Sequence, residues 1–304
     1  MKYIGIDGGG TKTRFCLADE SLNILSEHQT TGCYYPHIGK NGIINVIREG
    51  IKMCLQSAGI NNQDITVCCG LPAYGELDSL MADLPDMQRR IGSPVLFCND
   101  AEVCHAGALN LEAGITVIAG TGSIAFGRDE SGGSARSGGF GSEMNCDEGS
   151  AHYIGLRLIQ KFTRQADFRE ERTLLYNAVK NALGLKNDID IYAYMVEEIK
   201  MNRETVAGLA VLAYNTALQG DPICKNIFSD AAHELYLLAA AVKKQLDFKD
   251  LPVKVSYAGG VFKSGELILS ELGSLLRDDN MMLIAPQFPP AMGACILAKK
   301  QEEQ

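Results

Sequence analysis

Tyr3-Ile4-Gly5-Ile6-Asp7-Gly8-Gly9-Gly10-Thr11-Lys12-Thr13-Arg14-Phe15-Cys16-Leu17 reads as two short apolar strands joined by a glycine turn. The design returns about a hundred residues later as Val117-Ile118-Ala119, Gly120-Thr121-Gly122-Ser123 and Ile124-Ala125-Phe126-Gly127. Glycine permits positive φ and lets backbone approach an anion with no Cβ in the way. Successive N–H groups in such turns form anion-binding nests, to which the threonine and serine hydroxyls add donors. Two such turns predict two backbone cradles facing one polyphosphate, and with them nucleotide-dependent phosphoryl transfer.

Other glycine motifs fit less well. A P-loop places glycine directly before its lysine and continues as a helix, whereas here Thr11 precedes Lys12 and alternating strand residues follow. A dinucleotide fingerprint also requires a helix after its glycines. A plain hairpin turn uses glycine too, but three consecutive glycines and Thr-Lys-Thr exceed what a turn needs.

Outward from the first turn, Asn41–Ala58 has the apolar spacing of an amphipathic helix, with Gly59 as its stop. Ile65–Gly70 reads as a buried strand, Leu77–Arg90 as a helix, Val95–Cys98 as a strand and Ala101–Leu109 as a helix. A mixed sheet with helices on both faces is the expected result. Gly132–Gly141 reads as a glycine-rich loop, and 151–246 as mostly helical. A third strand–glycine–helix unit follows, Val253–Tyr257, Ala258-Gly259-Gly260 and Ser264–Leu276, then a strand from Met281 to Ala285 and a helix from Ala291 to Lys300. The architecture thus repeats, a hairpin followed by α/β units, with a helical insertion of about a hundred residues in the second copy. A two-lobed molecule with a ligand cleft is expected.

The 304 residues suffice for one large or two medium domains with an ample core. A formal net charge of -9 argues against a nucleic-acid partner, which would need clustered Lys and Arg. The ten cysteines include no C-x-x-C pair and lie mostly in apolar runs, the pattern of reduced thiols in a cytoplasmic protein. Five scattered histidines suggest no zinc site, and no apolar stretch is long enough to span a membrane.

Three carboxylates stand out. Asp7 ends the first strand beside the glycine turn; Mg²⁺ is its natural partner there, and turn capping its bland alternative. Asp100 ends a buried strand and opens a helix, where it could accept the proton of an attacking hydroxyl, yet Asn99 or Asp100 would serve equally well as helix cap. Asp147-Glu148 follows the glycine loop at a helix start, suited either to capping or to vicinal sugar hydroxyls. Lys12 and Arg136 could neutralise phosphate charge or simply be solvated.

Together these residues resemble the acetate-kinase, sugar-kinase and actin superfamily, and within it the N-acetylglucosamine kinase group of the BadF/BadG-type ATPases. The resemblance covers essentially the whole chain. It rests on Gly5–Thr13 and Ala119–Ser123 as phosphate motifs, Asn99-Asp100-Ala101 as the first connecting motif, Asp147-Glu148-Gly149-Ser150 as the sugar-site signature and Tyr257–Ser264 as the adenosine motif. It implies an actin-like, ribonuclease H-like α/β fold of duplicated mixed sheets. One lobe would span 1–112, with 288–304 packing back on it, and the other 113–287.

By resemblance the protein uses ATP and Mg²⁺ to phosphorylate an amino sugar, at the 6-hydroxyl, as a homodimer. Gly9, Gly10, Thr11, Lys12 and Thr121 would contact phosphate, Gly259 and Gly260 adenosine, and Asp7 the metal. Asp100 would be the general base, and Ser123, Phe140, Gly141 and Asp147 would line the sugar pocket. The group usually carries Trp where Phe140 stands, glycine where Cys146 stands, and a sugar-holding Asn in the stretch matching Gly32–His37. The sugar therefore stays open among N-acetylglucosamine, glucosamine and N-acetylmuramic acid. An ATPase that activates an acyl-CoA dehydratase or reductase, through an iron–sulfur cluster, and a non-catalytic sugar or nucleotide sensor are the alternatives on the same fold.

Overall fold

The computed structural model describes residues 1–60, 65–141, 144, 146–249 and 251–303. The chain divides into two compact units, Met1–Thr116 with Ala285–Gln304, and Val117–Ile284.

In the first unit, β1 (Lys2–Asp7), β2 (Lys12–Asp19) and β3 (Ile24–Thr31) form an antiparallel meander. Then β4 (Ile65–Leu71) and β5 (Val95–Asn99) add in parallel beside β1, giving the order β3-β2-β1-β4-β5. The other sheet takes β6 (Gly114–Ala119), which begins three residues before the second unit, with β7 (Ser123–Arg128), β8 (Ser134–Gly138), β9 (Val253–Ala258) and β10 (Met281–Leu283), in the order β8-β7-β6-β9-β10. Taken in chain order, the two sheets share one strand permutation. This is the duplicated, helix-flanked pair of mixed sheets expected from the repeat.

The period-2 pattern explains why the first sheet is covered on both faces. Ile4, Ile6, Phe15 and Leu17 join a core under α1 (Tyr35–Ala58) and α2 (Asp78–Ile91). Their neighbours Tyr3, Cys16 and Ala18, with Cys68 and Cys98, face a second cluster built on α10 (Pro290–Glu302). That helix packs against β1 and against α3 (Asp100–Leu109). Helix α1 starts earlier than its apolar spacing suggests: Pro36 sits in the first turn, and the helix is interrupted at Gly39, where φ is +61°. Gly59 closes it in the left-handed conformation.

Two strands lie where none was read. One is β3; the other, β8, runs inside the stretch read as a glycine-rich loop. The helical insertion after β8 comprises α4 (Ala151–Ala166), α5 (Leu174–Ala182), α6 (Asp190–Ala193) with a π-helical continuation over Tyr194–Glu198, α7 (Arg203–Leu218) and α8 (Pro222–Gln245). Helix α9 (Glu266–Asp278) then joins β9 to β10.

Gly5 makes the packing of α10 testable. A Cβ at Gly5 would lie 1.9 Å from the Ala291 carbonyl oxygen and 2.6 Å from the Cys295 nitrogen, both backbone atoms that cannot swing away. Gly5→Ala is expected to cost about 3 kcal/mol in urea unfolding. Gly10→Ala, whose Cβ would meet nothing within 4 Å, should stay within about 0.5 kcal/mol of wild type. Equal costs would refute this packing.

Candidate active site

In the first unit, β1, β4 and β5 run parallel, and register puts Asp7 opposite Gly70, and Leu71 opposite Asn99. Asp7 and Asp100 therefore lie at the carboxyl ends of two parallel strands, β1 and β5, with β4 between them, at the edge where open α/β sheets bind their ligands. The Gly8–Thr11 turn is tied to the same edge. Gly8 N donates to Gly70 O at 3.0 Å and Cys33 N to Gly9 O at 2.9 Å.

Of the two uses read for the turn glycines in the sequence, positive φ is not the one these positions show. Gly8, Gly9, Gly10, Gly120 and Gly122 are all absent from the positive-φ positions. Gly8, Gly9 and Gly122 are needed for room. A Cβ on Gly8 would meet Cys33 Sγ and Gly70 O at 2.5 Å, and one on Gly122 would meet Arg203 Nη2 at 2.3 Å. Gly10 and Gly120 face open space instead.

The choice of helix cap left open by the sequence falls on Asn99. Its side chain accepts from Ala101 N at 2.9 Å, while Glu102 reaches back to Asn99 N to complete a capping box. The Asn99 amide also donates to Tyr74 O at 3.0 Å, anchoring the loop after β4. Asp100 is thus the first residue of α3 with its carboxyl not serving as the cap.

Burial raises the Asp100 carboxyl to about 7, and the nearby charges of Asp7 and Glu76 push the same way. Burial raises Asp7 to about 6, against the pull of Arg14, whose Nη1 lies 3.7 Å away, and of Lys12. Cys33 lies near both acids: burial lifts its thiol to about 11, and both carboxylates add to the shift. Two buried carboxylates raised toward neutrality have the electrostatics that a proton acceptor working near pH 7 requires.

The second unit brings its own predicted residues together. The Gly120–Gly122 turn is anchored by α4, whose Ala151 N donates to Gly120 O at 2.9 Å and His152 N to Thr121 O at 3.3 Å. Gly259, at φ +110°, packs on the same turn; a Cβ there would lie 2.2 Å from Ala119 O and 3.0 Å from Gly120 N. The expected phosphate and adenosine motifs are therefore in direct contact. Asp147 is buried, and its Oδ1 accepts from Ser123 N at 3.3 Å. Ser123 Oγ donates to Glu148 O at 2.6 Å, which leaves the hydroxyl able to act toward a ligand only as acceptor. Phe140 is 66 % exposed, and Gly141 O accepts from Cys146 N at 3.2 Å. Ser142, Glu143 and Asn145 of the same loop lie outside the described residues. Arg136 Nη2 lies 3.4–3.5 Å from the carbonyls of Gly138 and Gly139.

A model of the BadF/BadG/BcrA/BcrD ATPase family matches residues 4–298. The chain belongs to this family. It is 31% identical over 306 residues to an N-acetylmuramic acid/N-acetylglucosamine kinase of Clostridium acetobutylicum, covering 99% of both chains. It is 29% identical over 311 residues to an N-acetyl-D-glucosamine kinase of Dictyostelium discoideum, covering 97% of each. Its fold matches the crystal structure of a candidate N-acetylglucosamine kinase from Chromobacterium violaceum at a TM-score of 0.77, with 24% identity and 98% of both chains covered.

In this BadF/BadG-type ATPase, two site residues escaped sequence reasoning. Glu76, in the loop after β4, adds its charge to the field at Asp100 and lies 3.4 Å from the Asn99 amide. Arg203 pairs with Asp147, Nη2 to Oδ2 at 2.7 Å, from 56 residues away. No local motif marks such a partner. Among the described residues no helix is long and apolar enough to cross a membrane. Nine of the ten cysteines are buried, and Cys146 is half-buried.

Proposed function

We propose that the protein is an ATP-dependent amino-sugar kinase that phosphorylates the 6-hydroxyl of N-acetylglucosamine, N-acetylmuramic acid or glucosamine, with Asp100 as general base. The observation that carries the chemistry is the Asp100 carboxyl at the end of β5, relieved of capping by Asn99 and raised to about 7. The full-length relation to amino-sugar kinases supports the acceptor class.

In the proposed reaction Asp100 accepts the proton of the acceptor hydroxyl as its oxygen bonds to the γ-phosphorus. The bond from that phosphorus to the β,γ-bridging oxygen breaks, giving sugar phosphate and ADP, and Asp100 returns its proton to solvent. Gly9, Gly10, Thr11, Lys12 and Thr121 contact phosphate, Gly259 and Gly260 face adenosine, and Ser123, Phe140, Gly141 and Asp147 surround the sugar. Asp7 fits Mg²⁺: it is a carboxylate at the edge of the glycine turn, raised by burial rather than by want of a cation, since Arg14 lies 3.7 Å away. Among the described residues no three metal-ligating side chains converge, so a cation at Asp7 would take most ligands from water and phosphate, as Mg²⁺ commonly does. When bound it supplies neutralisation of phosphate charge. A cytoplasmic homodimer is the accompanying expectation.

The test is ADP release and ³¹P NMR across a panel of hexoses, hexosamines and N-acylated hexosamines. One or more amino sugars should give sugar phosphate in step with ADP, with the reducing end left free. Absence of turnover on every sugar would overturn the proposal.

A further inference from the structure

We infer that Arg203 is a positioning residue that holds Asp147 in register with the second phosphate turn and thereby sets acceptor affinity. The inference rests on the kinase reading, in which Asp147 receives the sugar.

Several local costs converge on this one side chain. Arg203 is the first residue of α7, and a cation at a helix N-terminus opposes the macrodipole. The two residues leading toward it, Lys200 and Met201, both have φ +50°, a left-handed conformation that non-glycine residues rarely adopt. Before them α6 continues in π-helical form over Tyr194–Glu198, a rare geometry that recurs at functional sites. The irregular connection is nevertheless well tied. Met201 N donates to Met195 O at 2.8 Å, Asn202 N to Ile199 O at 2.8 Å, and the Asn202 side chain caps α7 by accepting from Thr205 N at 2.9 Å. Arg203 Nε is buried with no hydrogen-bond partner among the described residues, a further cost.

Such a concentration of broken local rules needs a compensating contact. The one that the side chain makes is its 2.7 Å pair with Asp147, a residue only 3% exposed at its side chain, against 39% for Arg203. The guanidinium also lies against the turn itself, where only a glycine at 122 leaves room for it.

The geometry assigns each lone pair a use. An ionised carboxylate offers about four acceptor positions. Ser123 N takes one on Oδ1 and Arg203 takes one on Oδ2, so the carboxylate is fixed at both oxygens and two positions remain for vicinal hydroxyls. Without Arg203 the carboxylate can rotate about its remaining bond, and the acceptor loses its fixed partner.

The test is steady-state kinetics of Arg203→Met, Arg203→Lys and Arg203→Ala against the wild type. Arg203→Met should raise KM for the amino sugar at least tenfold while KM for ATP changes less than threefold. Arg203→Lys keeps a charge but not the planar fork, and should recover part of the sugar affinity. Added guanidinium ion should lower the sugar KM of Arg203→Ala and leave the wild type unchanged. Equal rises in both KM values, or a sugar KM within twofold of wild type in Arg203→Met, would overturn the inference. If Arg203→Met does not fold, the Lys variant and the guanidinium titration decide by the same criteria. An inactive wild type would fell the kinase reading and this inference with it, an outcome distinct from an active wild type insensitive to Arg203.

Discussion

Asp100→Asn should lower phosphotransfer by about 10²- to 10⁴-fold and, at the same time, make the protein more stable above neutral pH. The first effect follows from loss of the proton acceptor with little change in shape. The second follows from linkage. The Asp100 carboxyl sits at about 7 in the folded chain and near the ordinary 3.8 in the unfolded one. Between those values the folded state holds a proton that the unfolded state has released, so stability falls as pH rises through this window. Above pH 7 the full cost is present, on the order of 2–4 kcal/mol once residual contact with water is discounted. Asparagine removes the charge and the cost together. Unfolding below pH 3.8 should therefore barely separate the two proteins; about a third of the cost is present by pH 5, and at pH 8 the variant should be the more stable by the whole of it. Turnover within tenfold of wild type, or a variant less stable at pH 8, would contradict the assignment of a desolvated base at this position.

Gly259→Ala and Gly260→Ala, one residue apart, should behave oppositely. Gly259 has φ +110°, and an added Cβ would stand 2.2 Å from Ala119 O and 3.0 Å from Gly120 N, both backbone atoms of the phosphate turn and its strand. Strain and overlap act together, so a loss of about 3 kcal/mol or more is expected. Gly260 has φ -71°, and its Cβ would meet nothing within 4 Å. Alanine there should leave stability within about 0.5 kcal/mol of wild type. In the proposed site that open space faces adenosine, so Gly260→Ala should weaken binding of an ATP analogue in calorimetry without unfolding the protein. Matching stabilities for the two variants would show that the adenosine and phosphate turns are not packed as described.

The elements legible in the sequence are those whose own residues carry the burial. Ile4, Ile6, Phe15 and Leu17 alternate with Tyr3, Cys16 and Ala18 because each face of the sheet meets its own core cluster, and that period of two excludes a helix after the first glycine turn. The strands that escaped are β3, Ile24-Leu25-Ser26-Glu27-His28-Gln29-Thr30-Thr31, and β8, Ser134-Ala135-Arg136-Ser137-Gly138. Both are sheet-edge strands, one largely polar and the other without a large apolar residue, and they form because β2 and β7 offer them a ladder. Which of Asn99 and Asp100 caps α3 depends on side-chain geometry that composition does not fix. The partnership of Arg203 with Asp147 is more remote still, since it arises from the crossing of α4 and α7, which pack together. The glycines show a subtler gap: their positions were readable, but most of the turn glycines serve close approach or open space rather than positive φ.

The most direct test of the central claim is the pH dependence of kcat/KM for the amino sugar at saturating ATP. Ionisations of the ATP-loaded enzyme before it meets the sugar govern that parameter. Because Asp100 acts as a base only when ionised, the rate should fall about tenfold per pH unit on the acid side of an apparent pKa near 7. A profile flat from pH 5 to 8, or an acid limb near the ordinary carboxylate value of about 4, would contradict Asp100 as the general base.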